Sequence, residues 1–208
     1  MEELFKGLGI DEIILKREDK WRVLEIFADK IKDCRKCRLH LHRKQVVVGS
    51  GNPYAKVMFV GEAPGREEDI KGYPFVGKAG RLLTDILTEL GKDRERDVYI
   101  ANVIKCRPPG NRDPLPDEVQ SCTPYLDFQI KVISPKVILC LGRYSMYHIL
   151  NRPDQPKINE VRGRFHTSRY GIPAYATYHP AAALRNPTFV DLIREDIKRV
   201  FEFAESTD

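Results

Sequence analysis

Four of the chain's five cysteines follow a C-x2-C, long gap, C-x15-C pattern: Cys34, Cys37, Cys106 and Cys122. Four thiolates can hold zinc or a four-iron cluster, and spacing alone leaves open both of these and the absence of any metal. Arg35, Lys36, Arg38, Arg43 and Lys44 crowd the first pair, and Arg107 and Arg112 follow Cys106. Positive neighbours favour the ionised thiol that a metal needs. Cys140 sits in the apolar run VILCLG and reads as a core residue.

A second set of reactive types stands just after apolar runs. Glu62 lies in GEAPG, Asn102 in VYIANVI and His179 in YHP. An amide inside an apolar segment is costly to bury unless it is paired. An acid, an amide and an imidazole suit a site that reads a polar, flat ligand and moves charge on it. The glycine-rich turn after Val60 lacks the Lys-Ser/Thr of a phosphate loop and the spacing of a dinucleotide fingerprint, so no nucleotide cofactor is expected. Phe75, in the loop GYPFVGKAG, is available to stack on such a ligand.

The elements that must position these residues are short apolar runs bounded by turn residues: Lys56–Gly61, Val98–Ile104, Lys136–Gly142 and Pro173–Tyr178. They are rich in β-branched and aromatic residues and barely alternate, as strands covered on both faces do. Between them lie helical patterns over Gly80–Leu90, Pro116–Ile133, Arg143–Asn151 and Phe189–Ala204, with an amphipathic helix over Lys20–Ile31. Strands alternating with helices predict an α/β fold with a parallel sheet. Ligands then bind beyond the carboxyl ends of the strands, where Glu62, Asn102, the hydroxyl-rich turn Gly142-Arg143-Tyr144-Ser145 and His179 would converge.

The 208 residues fit one domain, 19–208, with 1–18 as a tail or short extra helix. No apolar run is long enough to span a bilayer and Met1–Ile10 lacks a signal pattern, so a cytoplasmic location is expected. The net charge of +5 is weak support for a polyanionic partner.

The motifs GEAPG, PFVGKAG, NVIKCRPPGNRDP, CLG and YHPAAALRNP, with the four cysteines interleaved, resemble family 4 uracil-DNA glycosylases, the iron–sulfur enzymes of archaea and bacteria. The resemblance runs from about Cys34 to Arg199. It implies a three-layer α/β/α sandwich around a four-stranded parallel sheet, and a monofunctional hydrolase that removes uracil from DNA. It also implies a four-iron four-sulfur cluster on Cys34, Cys37, Cys106 and Cys122, and no catalytic metal. The implied uracil pocket is Gly61, Glu62, Ala63, Phe75, Asn102 and His179, with Glu62, Asn102 and His179 catalytic.

Leu184, in the segment Ala182–Arg185, is the implied wedge into the duplex, with Arg185 and Arg107 near phosphates. Glu68 or Pro64 is a candidate for excluding the methyl group of thymine. Ala63 occupies the position where other branches carry a water-activating aspartate. Uracil-containing DNA, single- or double-stranded, is the implied partner of a monomer, and a sliding clamp is a further candidate partner through Met1–Glu18. Rival readings are a same-fold enzyme for another deaminated base such as hypoxanthine, an electron carrier, or a non-catalytic zinc module.

Overall fold

The computed structural model describes residues 19–207, so the expectation for Met1–Glu18 lies outside the described residues. Six strands form one sheet in the order β1-β3-β2-β4-β6-β5. They are β1 (Ser50–Gly51), β2 (Val57–Gly61), β3 (Val98–Asn102), β4 (Val137–Leu141), β5 (Phe165–Thr167) and β6 (Pro173–Thr177). The inner four, β3-β2-β4-β6, run parallel, as the apolar runs predicted. The short outer strands pair antiparallel and add two members to the expected four-stranded sheet. They escaped the sequence reading because two and three residues cannot show a period, and Phe165 and Thr167 are exposed.

The helices are α1 (Lys20–Ile31), α2 (Arg66–Lys71), α3 (Lys78–Glu89), α4 (Pro116–Ile133), α5 (Arg143–Ile149), α6 (Ile158–Val161), α7 (Pro180–Ala183) and α8 (Thr188–Ser206). Alternate residues of each strand feed opposite faces of the sheet. Met58 and Val60 of β2 join a core with Phe27 of α1, Phe128 of α4 and Met146 of α5. Val57 and Phe59 join a second core with Leu83 of α3 and Ile193, Ile197 and Val200 of α8. Because both faces are covered, every residue of β2, β3 and β4 is buried, which explains their unalternating sequences. The result is an α/β/α sandwich. None of the helices in the described residues is long and apolar enough to cross a membrane.

Local signals set the helix ends. The Asp19 carboxylate accepts from the N–H groups of Trp21 and Arg22 and so caps α1. Val23, Leu24, Phe27 and Ile31 then form its buried stripe. Pro116 starts α4, whose Glu118 carboxylate accepts from Leu115 N and takes a bidentate pair from Arg112 at 2.6 and 2.8 Å. That pair anchors the basic loop between Cys106 and α4.

Phe27 ties α1 to the sandwich: it is fully buried and stacked on Phe128 at 4.5 Å, with Tyr125 edge-on at 5.9 Å. Its replacement by alanine should cost about 3–5 kcal/mol of stability, read as a lowered midpoint in urea unfolding.

Candidate functional site

The four parallel strands end at one edge, and a cleft of about 940 Å³ opens there. This is within the range of small-ligand sites, with room for more than a single ring. Glu62, Ala63, Phe75, Asn102, His179 and Arg185 line it, and Glu68 stands on its wall.

The register of β2 and β3 sets its floor. Gly61 pairs with Asn102 across the two strands, and the chain beyond is held by Val103 N to Gly61 O (2.9 Å) and Ile104 N to Glu62 O (3.1 Å). A Cβ on Gly61 would lie 2.4 Å from Asn102 Oδ1 and 2.7 Å from the Phe75 ring. Only glycine lets the amide and the ring close on the strand end. Asn102 is buried, and its Oδ1 has no hydrogen-bond partner among the described residues. An unpaired buried acceptor costs about 1–3 kcal/mol, which a ligand N–H would recover.

His179 follows β6 and caps the short α7, its Nδ1 accepting from Ala181 N at 3.0 Å. A neutral ring whose Nδ1 accepts carries its proton on Nε2. Burial pulls this imidazole down to about 4, so it is neutral at pH 7, a donor without charge. Gly142, at φ 94°, is the single residue between β4 and α5, and a Cβ there would lie 2.9 Å from that of His179.

Glu62 moves the opposite way. Burial, with Asp113 nearby, pushes its carboxyl up to about 7, against the opposing pull of Arg143. Asp113 is itself paired with Arg143 at 2.7 Å. A carboxyl poised near neutrality suits general base work.

The sequence-predicted residues divide by position. Gly61 forms the floor, and Leu184 projects half-exposed from the end of α7 beside the cleft-lining Ala182 and Arg185. Arg107 is turned to Asn111, its Nε donating to Oδ1 at 2.7 Å, and it is the neighbouring Pro108 and Asn111 that line the cleft. Both oxygens of Glu68 are engaged with main chain: one accepts from Gly65 N, the other from Val76 N and Gly77 N. Its charge fixes the loops on either side of it.

Lys157 and Ile158 also line the cleft, in a stretch with no sequence signal. Buried Lys105 was missed as well. Its Nζ donates to Asn102 O at 2.7 Å and to Gln129 Oε1 at 2.5 Å, bracing β3 from behind.

Behind Asn102, Cys34, Cys37, Cys106 and Cys122 line one small cavity with Arg43, Lys105 and Tyr125. Donors reach the sulfurs: Arg43 Nη1 to Cys106 at 3.4 Å, Lys105 N to Cys122 at 3.2 Å, Tyr125 OH to Cys34 at 3.2 Å and the main chain of Leu39 to Cys37. Burial, the largest cause, pushes the Cys106 thiol up to about 11 against the pull of Arg43, and that of Cys122 up to about 12 against the pull of Lys105. A bound metal reverses this, because it deprotonates its thiols outright. Four thiols met by outer hydrogen-bond donors fit a thiolate-held metal centre, although among the described residues no three metal-binding side chains close on a single ion. Cys140 is apart, wholly buried in β4.

The sequence that builds this fold matches a known class. Residues 48–201 match the model of the uracil DNA glycosylase superfamily. A type-4 uracil-DNA glycosylase of Saccharolobus solfataricus is 48% identical, covering 88% of this chain and 87% of its own. Those of Archaeoglobus fulgidus and Thermotoga maritima are 47% and 44% identical, over 87% and 88% of this chain and 93% and 95% of theirs. A type-5 enzyme of Thermus thermophilus is 27% identical, over 61% of this chain and 71% of its own. The chain belongs to the uracil DNA glycosylase superfamily, in its type-4 branch.

The Glu62 environment gives a direct test. Its carboxyl carbon, followed by NMR titration, should show a midpoint near pH 7, well above the ordinary carboxylates. Asp113→Asn should lower that midpoint by removing the nearby like charge. It should not bring it to the ordinary value, because burial is the larger cause.

Proposed function

We propose that this chain is a DNA-repair uracil glycosylase, flipping uracil from DNA and hydrolysing its N-glycosidic bond to leave an abasic site. The observation that carries the reading is the unpartnered Oδ1 of Asn102, buried against Gly61 and Phe75. Uracil presents N3–H as donor beside O4 as acceptor. Asn102 Oδ1 accepts from N3–H and the amide nitrogen donates to O4. Cytosine offers the opposite pattern and leaves both groups unpaired, at about 1–3 kcal/mol each.

Extruding the nucleotide costs a few kcal/mol. Stacking on Phe75, worth roughly 1–3 kcal/mol, offsets part of this. Leu184 fills the vacated stack, and Arg185 meets the backbone phosphates. As the glycosidic bond breaks, negative charge grows on the base and positive charge on the sugar. His179 Nε2–H donates to O2 of the departing base. Its neutrality follows from its low pKa, so the proton is shared with the oxyanion and not given up in advance. The Glu62 carboxylate faces the cationic sugar and orients the attacking water, the part that Ala63 cannot play. Gly61 and Ala63 leave the base edge free of side-chain bulk, and Glu68 shapes the ring-facing loop that would exclude the methyl group of thymine.

Cys34, Cys37, Cys106 and Cys122 hold a four-iron four-sulfur cluster in this reading. Cys34 and Cys37 after α1, Cys106 in the loop before α4 and Cys122 in α4 would hold the cluster, which would supply a structural cross-link between these segments. The protein acts as a monomer in the cytoplasm, through a single domain from residue 19 onward.

Incubation with a uracil-containing oligonucleotide in EDTA, followed by alkaline cleavage, should cut the strand at uracil and leave cytosine and thymine controls intact. Uncut strands, or release of hypoxanthine alone from a panel of modified bases, would overturn the reading. Asn102→Ala and His179→Ala should each slow release by about a hundredfold or more while DNA binding survives. The single-turnover rate should rise with pH through about 7, because Glu62 must be ionised, with no limb from His179 above pH 5. Serine at any of the four cysteines should lower bound iron and loosen DNA affinity.

A further inference from the structure

Phe75 has a left-handed backbone, φ 52°, which a bulky residue adopts only when its surroundings impose it. The peptide unit between Phe75 and Val76 shows what imposes it. Its N–H, on Val76, donates to Glu68 Oε1 at 2.9 Å. Its carbonyl, on Phe75, accepts from Arg94 Nη1 at 2.8 Å. The two groups of a trans peptide point in opposite directions. A carboxylate and a guanidinium therefore grip one peptide from its two sides and fix its plane.

Arg94 grips more than that carbonyl. Its Nη2 reaches Pro74 O at 3.0 Å, and Nη1 also reaches Thr84 Oγ1 on α3 at 3.1 Å. The base of the arginine is rigid as well. It sits in a tight turn before β3 where Asp93 accepts from Glu95 N and Arg96 N, and Asp97 accepts from Asp93 N. Across the loop, Gly80 admits the carbonyl so closely that a Cβ there would lie 1.9 Å from it. Arg94 itself is absent from the cleft lining.

We propose that Arg94 is a positioning residue for base recognition: from outside the cleft it holds Phe75 in the strained conformation that turns its ring into the stacking face. The guanidinium fork suits this because it takes two successive carbonyls at once, a geometry that lysine cannot reproduce. The strain stored at Phe75 is spent on preorganisation, so the ring does not have to be ordered when the base arrives. The inference rests on the glycosylase reading above.

A double-mutant cycle on single-turnover uracil release tests it. Arg94→Lys should slow release about tenfold, a fraction of the stacking contribution. In a Phe75→Ala background the same change should slow it less than twofold, because the group it positions is gone. A general loss of stability would instead slow both backgrounds equally, and that result would overturn the proposal. So would an unchanged rate for Arg94→Lys. Thermal melting checks that each variant is folded. If Arg94→Lys does not fold, Thr84→Val removes one hydroxyl beside Nη1 and should show a smaller loss, about twofold to threefold, again absent without the Phe75 ring; equal losses in both backgrounds, or none, would overturn the proposal here too. Wild-type protein that fails to release uracil in this assay would defeat the glycosylase reading itself. Active wild type with additive losses would defeat only the role of Arg94.

Discussion

The site depends on one steric fact, that nothing projects from residue 61. Parallel pairing brings the ends of β2 and β3 side by side, with Gly61 against Asn102, and any Cβ would meet both the amide oxygen and the Phe75 ring. The vacancy lets a polar acceptor and an aromatic face converge at hydrogen-bonding and stacking distance from the same small space. The surrounding structure keeps that space from collapsing. Lys105 holds the main chain of Asn102 from behind, the Glu68 carboxylate holds the loop after Phe75, and Gly142 makes room for His179. Among the described residues the acceptor stays unpaired, at a cost to the protein itself.

Electrostatics then divides the labour. Burial acts on both Glu62 and His179, but it disfavours charge and so moves an acid and a base in opposite directions. Glu62 rises towards neutrality and His179 falls away from it. One environment thus yields a carboxyl that can take up a proton and an imidazole that keeps its single one. The cysteine cavity is arranged differently, with Arg43, Tyr125 and a main-chain N–H turned to the sulfurs, surroundings suited to stable anionic thiolates.

Much of this was legible in the sequence. The inner strands were visible because burial on both faces removes polar residues from them, and their ends fell within a residue or two of the observed ones. Glu62, Asn102 and His179 stood out as polar groups where apolar runs stop. What stayed hidden has its meaning only in distant partners. Arg94 and Lys105 look like ordinary surface cations until Phe75 and Gln129 are brought to them. Glu68, a candidate for excluding the methyl group of thymine, has its oxygens turned to three main-chain N–H groups, partners that the sequence does not reveal. The outer strands were too short to carry a pattern.

The chain order of the sheet has a consequence for synthesis. The strands β2, β3 and β4 are neighbours in space and are complete by residue 141, while His179 follows the last inner strand, β6. Gly61, Phe75 and Asn102 therefore all leave the ribosome well before the imidazole does. Since a domain folds as a unit and α8, made after His179, covers one face of the sheet, the early strands wait for the last helix before the cleft can close.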